Sequence, residues 1–382
     1  MPFNNFFVYL WNMACLYFHI PFCKRICGYC DFYRSAKVQL LPQVLEAMHN
    51  ELEREHTLLH ERKIKTIYFG GGTPSLVAPS EIERLITHAR ELFDCSEVEE
   101  ITIEVNPDDI NEEYIAELKA TSVNRISIGV QSLDDEVLRF MGRRHSAEQA
   151  QRAVKMLQEA GYNNISVDII FGVECATRES LTQTLQGVLD MGVQHISAYH
   201  LTIEGGSRFA RMLQRGEIRE CEEERSEEEF ALVHNTLTQA GFEHYEVSNF
   251  ALNGYRSRHN SSYWREVEYL GIGAGAHSYN GEIRRWCEQD LTDYIAGAEY
   301  DSEQLSETDH LNEMLMTSLR CQEGFSLRDI EERFGAERRR EIEKKATRHL
   351  ECGGLTKGDE ERLFIKPEKF ILSDIIITDL MV

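Results

Sequence analysis

From Cys15 to about Ala251 the chain alternates short β-branched and aromatic runs with longer amphipathic stretches, the pattern of βα units around a parallel sheet. The runs 15–20, 64–70, 100–105, 125–130, 165–171, 195–203 and 244–248 predict strands. Several, such as Ile165-Ser-Val-Asp-Ile-Ile-Phe, read as nearly all apolar on both faces, as strands covered by helices do. Between them 79–93, 147–160 and 225–240 predict helices, and Gly161 and Gly241 mark helix stops. After Arg285 the rhythm fades, and 309–321, 326–334, 338–352 and 370–380 predict helices. With the strand-like Arg362-Leu-Phe-Ile run they make a smaller, mostly helical, winged-helix-like unit.

The expected fold is therefore α/β, a partial (β/α) TIM-type barrel over 14–285 followed by a C-terminal domain over 286–382. Residues 1–13 are apolar but carry no Lys or Arg ahead of Lys24, unlike the basic opening of a secretory signal. They are expected to be an extension, disordered or not translated, with synthesis starting at Met13.

Polar residues within this apolar pattern are not scattered. Glu104, Gln131 and Asp168 lie on or at the ends of predicted strands, a loop with Cys23, Cys27 and Cys30 follows the first strand, and Gly70-Gly-Gly-Thr-Pro follows the second. Active sites of parallel barrels form at the C-terminal edge of the strands, so these residues are expected on one rim.

Charge narrows the partners. Lys and Arg number 41 against 65 Asp and Glu, a formal charge of −24, which repels nucleic acid phosphates and excludes nucleic acid as a partner. No apolar run approaches the roughly 20 residues needed to span a bilayer, leaving at most a peripheral membrane association. The cysteines at 15, 95, 175, 221, 287, 321 and 352 are dispersed rather than packed into a disulfide framework, which points to the reducing cytoplasm.

Cys23-x3-Cys27-x2-Cys30 places three thiolates on one loop, enough to hold three irons of a cube and leave the fourth open to an exogenous ligand. The competing reading is zinc, which wants four protein ligands and would need His19 or Asp31 as well. The glycines of the 70–74 turn let backbone groups approach a ligand closely, with Thr73 as a hydrogen-bonding residue. In His259-Asn-Ser-Ser-Tyr263-Trp264 an imidazole stands beside two aromatic rings, a set suited to an axial iron ligand with stacking partners. His277 and His200 read as structural.

Taken together, Tyr17-x-His19-Ile-Pro-Phe-Cys23-x3-Cys27-x-Tyr29-Cys30-Asp-Phe32 and the later Gly-Gly-Gly-Thr-Pro-Ser resemble the radical SAM proteins related to oxygen-independent coproporphyrinogen III oxidase, and most of all the HemW (haem chaperone) branch. The likeness continues through Glu104-Val-Asn-Pro, Arg125-Ile-Ser-Ile-Gly-Val-Gln131-Ser, Gly142-Arg143, Asp168-Ile-Ile-Phe-Gly172, Tyr245-Glu-Val-Ser-Asn249-Phe and Gly271-Ile-Gly-Ala-Gly-Ala-His277-Ser, and spans most of 15–280.

The resemblance implies that the three cysteines ligate a 4Fe-4S cluster and that Tyr17, Gly71, Gly72, Thr73, Glu104, Gln131, Arg143 and Asp168 line a pocket for S-adenosylmethionine (SAM). It also implies a reductant such as flavodoxin or ferredoxin, from which the cluster would pass one electron to SAM and cleave it to methionine and a 5'-deoxyadenosyl radical. Oxidase-type relatives carry a fourth cysteine where this chain has Phe32, which favours the chaperone branch. Residues 259–264 resemble that branch's H-N-R-x-Y-W haem motif, with Ser261 in place of the arginine, so His259, Tyr263 and Trp264 are the haem candidates and Arg256, Arg258 or Arg265 could pair the propionates. The expected function is binding of haem and its delivery to an apo-protein. The alternatives are a coproporphyrinogen III oxidase of porphyrin biosynthesis and a zinc-stabilised interaction protein.

Overall fold

The computed structural model describes residues 13–382, so the extension expected over 1–13 lies, Met13 apart, outside the described residues. Six parallel strands form its centre: β1 (Ala14–Ile20), β2 (Ile64–Gly71), β3 (Glu100–Val105), β4 (Arg125–Gln131), β5 (Ile165–Phe171) and β6 (His195–His200). Each is joined to the next through a helical crossover. Helices such as Pro79–Leu92, Ala147–Glu159 and Arg178–Asp190 bury their apolar stripe on the sheet. Their starts are set locally: Ser146 with Gln149 and Thr177 with Ser180 form reciprocal caps that satisfy the first free N–H groups.

One face of the sheet is apolar and packed. Leu16, Phe18 and Ile20 of β1 and Phe69 of β2 are fully buried there, and the Phe18 and Phe69 rings stack at 4.8 Å. The other face is polar and equally buried, carrying Thr66, Thr102, Arg125, Ser127, Ser166, His195 and Ser197. Ile165–Phe171, expected to be apolar on both faces, in fact alternates, with Ser166 and Asp168 on the polar side. The register sets Tyr17 beside Tyr68, Glu104 beside Ser127, and Asp168 between Gly129 and Ser197.

Both ends of the sheet turn antiparallel. The run expected as one strand at 244–248 is a hairpin of β7 (Glu243–Glu246) and β8 (Asn249–Ala251), and β8 runs antiparallel to β6. Next to β1 lies β9 (Tyr269–Ile272), parallel to it, then β10 (His277–Tyr279), β11 (Ile283–Trp286) and β12 (Asp301–Gln304). These strands of three or four residues are too short to show a period, and β12 is fully exposed. They carry the sheet to Gln304, past the boundary expected at 285.

The C-terminal region contains the helices Glu307–Leu319, Leu327–Glu351 and Ser373–Leu380. Gly335, at φ 87°, breaks the second into the two pieces its sequence predicts. A small antiparallel sheet accompanies them, with β13 (Phe325–Ser326) and β14 (Thr356–Lys357) flanking β15 (Arg362–Phe364). This region docks on β7: Val247 N–H donates to Arg320 O at 2.8 Å, Gln322 N–H donates to Tyr245 O at 3.1 Å, and Phe370 meets the His244 ring edge-on. Among the described residues no helix is long and apolar enough to cross a membrane.

Truncating Phe18 to alanine opens a cavity beneath the stacked Phe69 and is expected to cost about 3–5 kcal/mol. Urea unfolding of the apo-protein measures it, and a loss below about 1 kcal/mol would show that the two rings do not hold the sheet to its helices.

Candidate functional site at the strand ends

The cysteine loop leaves β1 and is pinned at several points. Cys23 N–H donates to Ser35 O at 3.0 Å, Gly28 N–H to Met141 O at 2.8 Å, and Phe209 N–H to Gly28 O at 2.8 Å. A side chain at Gly28 would strike the Phe209 ring, so that crossing requires glycine. Cys23 is buried, while Cys27 and Cys30 are half-buried. Burial pushes the Cys23 and Cys30 thiols up, opposed at Cys23 by the Thr73 hydroxyl and at Cys30 by the charge of Arg34. Thiols in this setting need a positive charge beside them, such as a metal ion, to become ligands.

Of the two side chains the zinc reading would need, His19 is already engaged. His19 is buried, its Nε2 bonded to Tyr33 O at 2.9 Å and its Nδ1 to the Tyr17 hydroxyl at 3.1 Å. Burial pushes its pKa down to about 4. Among the described residues no three His, Cys, Asp or Glu side chains gather around a single-ion position.

The second strand end closes on this loop. Gly72 N–H donates to Ile20 O at 2.9 Å, and a Cβ there would lie 2.7 Å from Phe22 O, so the glycine turn lies directly against the cysteine loop. Thr73 donates to Cys23 Sγ at 3.5 Å and accepts from Asn106 Nδ2 at 3.1 Å. Arg143 completes the circuit, donating to Asn106 Oδ1 at 2.8 Å, Gly129 O at 2.6 Å and Cys27 Sγ at 3.6 Å. Gly142, at φ 82°, ends the preceding helix and aims Arg143 inward. In β4 the register slips between Gly129 and Gln131, and Gln131 takes φ 67°, a bulge that turns its side chain to the rim. Arg143 Nε and Gln131 Oε1 are buried there without a partner among the described residues. A ligand presenting both an acceptor and a donor fits that pair, and the amino acid end of SAM has both.

Glu104 and Asp168 stand just inside. Glu104 accepts from the Tyr68 hydroxyl at 2.8 Å and from Gly71 N–H at 3.1 Å, and burial, with the nearby Asp168 charge, pushes it up to about 7. Asp168 accepts from Ser127 Oγ at 3.2 Å, and burial pushes it up to about 6. The two line a cavity of about 30 Å³ shared with Arg125, His195 and Tyr199. Tyr17 completes the wall, since Gly70 lies in contact with Tyr17, Tyr68 and Glu104. Of the eight residues expected around SAM, Gly72, Thr73, Gln131 and Arg143 lie at the strand-end rim, while Glu104, Asp168 and Tyr17 lie inside it, reached through the Gly71 N–H bond to Glu104. Tyr68, Asn106 and Arg125 also take part without having been singled out, although the polar alternation of β2 to β4 carried the signal.

The haem motif lies lower. His259 is on the short helix Arg258–Tyr263, its Nδ1 bonded to Thr66 Oγ1 at 2.7 Å and its Nε2 to the Tyr263 hydroxyl at 2.9 Å. Glu100, the first residue of β3, accepts from the backbone N–H of Arg258 at 2.9 Å and of His259 at 3.0 Å. The motif therefore sits toward the N-terminal ends of β2 and β3, with Tyr17 and Tyr68 between it and the rim. Trp264 Nε1 is buried without a partner among the described residues. Arg256 is ion-paired with Glu243 and Glu323, and Arg258 with Glu99, whereas exposed Arg265 makes no ion pair among the described residues. His277 stacks on Trp286 at 6.0 Å and His200 bonds Ser226 Oγ at 3.0 Å.

Comparison with known proteins identifies relatives of this chain. The radical SAM superfamily model matches residues 17–188, and the HemN C-terminal domain model matches 305–368. The chain is 36% identical over 322 residues to the heme chaperone HemW of Lactococcus lactis, covering 83% of this chain and 84% of that one. It is 31% identical over 376 residues to the HemW of Mycobacterium tuberculosis, covering 96% and 94%. Among solved structures, coproporphyrinogen III oxidase (HemN) of Escherichia coli, titled a radical SAM enzyme, superposes with a TM-score of 0.82 at 23% identity, over 100% of this chain and 94% of that one; at this identity the likeness is one of fold.

Folding raises both carboxyl pKa values, from 4.5 for Glu104 and 3.8 for Asp168, so the folded state holds these protons more tightly than the unfolded chain. Their contribution to stability is complete below the unfolded values and is lost as pH rises through about 6 and 7. Glu104→Gln is therefore expected to raise the apo-protein's thermal midpoint over wild type at pH 8 and to leave it unchanged near pH 4.5. Equal shifts at both pH values would show that Glu104 ionises freely in the fold.

Proposed function

We propose, from the premise that this chain belongs to the radical SAM superfamily and within it to the group of the heme chaperone HemW, that it holds a 4Fe-4S cluster and SAM at the strand-end rim and binds haem for delivery to an apo-protein. The observation that carries the reading is the closed circuit Cys23–Thr73–Asn106–Arg143–Cys27, in which the residues that would hold the cluster also build the pocket beside it.

Cys23, Cys27 and Cys30 would ligate three irons, and the Gly71 and Gly72 backbone with Thr73 would receive the methionyl amino group. Arg143 suits the carboxylate through its planar fork, with Gln131 beside it. Glu104 and Asp168 suit ribose hydroxyls or the sulfonium charge, whose arrival would favour their ionised forms. The cluster, reduced by a carrier such as flavodoxin or ferredoxin, supplies one-electron chemistry at the sulfonium, and the protein supplies orientation and exclusion of water.

Phe32 supports a chaperone over an oxidase. It occupies the position of the fourth cysteine of oxidase-type relatives and is 68% exposed, so no thiol or packed side chain stands there. His259 is the proposed axial ligand, with Tyr263 and Trp264 as ring partners and Arg265, which has no ion pair among the described residues, for a propionate. Because both its nitrogens are engaged, ligation would exchange its bond to Tyr263 or Thr66 for one to iron. A cytoplasmic location suits the cysteines outside the cluster loop, which form no disulfide among the described residues.

Anaerobically reconstituted protein is expected to carry about four irons per chain, with a reduced EPR spectrum that changes on adding SAM. Protein without iron, or a spectrum indifferent to SAM, defeats the assignment. With coproporphyrinogen III, SAM and reductant, no steady protoporphyrinogen production is expected, and its appearance would establish the oxidase instead. Haem titration is expected to give a shifted Soret band that His259→Ala removes; an unchanged band in that variant rejects His259 as the ligand.

A further inference from the structure

His259 belongs structurally to two places at once. Its ring is stacked on Tyr68, with centroids 4.8 Å apart and planes at 25°, and Tyr17 lies 6.3 Å away in a similar orientation. The Tyr68 hydroxyl donates to Glu104 Oε1 at 2.8 Å, while Glu104 Oε2 takes the Gly71 N–H at 3.1 Å. A chain of direct contacts thus runs from the haem motif to the carboxylate and glycine turn of the SAM pocket. On its other side the imidazole is held by Thr66 and Tyr263, and its backbone by Glu100.

A fully buried ring with both nitrogens engaged cannot meet the iron of a porphyrin, a plane far wider than the cavity of about 30 Å³ beside it. To ligate haem, segment 257–264 must leave the inner face of the sheet. Its departure removes the nearer of the two rings stacked on Tyr68 and leaves only Tyr17, at 6.0 Å, so the phenol is held less firmly on Glu104. Conversely, a SAM molecule that draws Glu104 into its ionised form strengthens the Tyr68 hydrogen bond and holds the stack together.

We propose that His259 is a positioning residue of the SAM pocket, acting through Tyr68 on Glu104, and that SAM and haem consequently oppose each other's binding. The haem arm rests on the reading of His259 as the haem ligand; the positioning arm does not. Coupling of this kind is reciprocal, so each ligand weakens the other by the same factor.

The test uses full-length protein with its cluster reconstituted. Haem is titrated by its Soret band with and without saturating SAM, and SAM by equilibrium dialysis with and without haem. Each is expected to weaken the other about tenfold. Tyr68→Phe removes the hydroxyl from Glu104 and is expected to bring that factor close to one at unchanged iron content. His259→Ala is expected to lose haem and also bind SAM several-fold more weakly, while His259→Phe, which keeps a stacking ring without nitrogens, restores SAM binding but not haem. Identical haem affinity with and without SAM overturns the coupling. SAM binding at wild-type strength in His259→Ala, or equally weak binding in His259→Phe and His259→Ala, overturns the positioning role. His259→Ala with an unaltered Soret band and weakened SAM binding defeats the haem-ligand reading and leaves the positioning role standing.

Discussion

The inner face of the parallel sheet is removed from water yet built of polar side chains, and each of them needs a partner on another strand. Isolated, a buried Arg125, Glu104 or Asp168 would cost several kcal/mol. Here Arg125 reaches Asn164, Asp168 reaches Ser127, Glu104 reaches Tyr68, and His195 lies between Ser166 Oγ at 2.7 Å and the Tyr245 hydroxyl at 2.8 Å. These bonds cross from strand to strand or from strand to loop, so they fix the curl of the sheet as well as satisfying the groups. The apolar face supplies most of the stability, through rings such as Phe18 and Phe69, and the polar face determines which arrangement of strands can have it.

The same constraint shapes the rim. At the strand ends Arg143 Nε and Gln131 Oε1 are buried without a partner among the described residues, as Thr102 Oγ1 is within the sheet. Neither residue arrives there by default. Gln131 requires a bulge and a positive φ, and Arg143 requires the left-handed Gly142 behind it. Local backbone departures of this kind are retained where a side chain must be aimed. They leave a polar pair against the cysteine loop, held by a hydrogen-bonded circuit in which every member touches the next.

Much of this was legible in the chain. The six parallel strands stand within a few residues of their expected positions because each is bounded by turn residues and followed by a long amphipathic stretch. The rim residues were legible because polar groups interrupt strand ends at the same level of consecutive βα units. The alternation in Ile165-Ser-Val-Asp-Ile-Ile-Phe was visible too, yet it reads as apolar when burial is equated with hydrophobicity; only the fold shows a buried polar face. The hairpin at 243–251 and the strands from 269 to 304 were not legible: runs of three or four residues are recruited by a neighbouring edge, and that neighbour is set by topology. The place of His259 was hidden for the same reason, because its partners Thr66 and Glu100 are far from it in sequence.

Strand β2 ties these levels together. Its inward residues, two apart, are Thr66, Tyr68 and Gly70, and they meet in turn the imidazole of His259, the carboxylate of Glu104, and the wall formed by Tyr17 and Tyr68. The C-terminal end of such a strand ordinarily carries chemistry and its N-terminal end stability. Segment 257–264 lies at the stability end, tethered by Glu100 and Thr66. A residue there can serve as a cargo ligand only if the fold tolerates its release, and its tethers are local ones: two backbone hydrogen bonds to Glu100, one from Ser257 N–H to the Tyr245 hydroxyl, two to the imidazole, the Arg258–Glu99 ion pair and the stack on Tyr68. An element held by a few directional bonds above a strongly packed sheet can come away without unfolding its support, because the apolar face that stabilises the sheet lies on the opposite side.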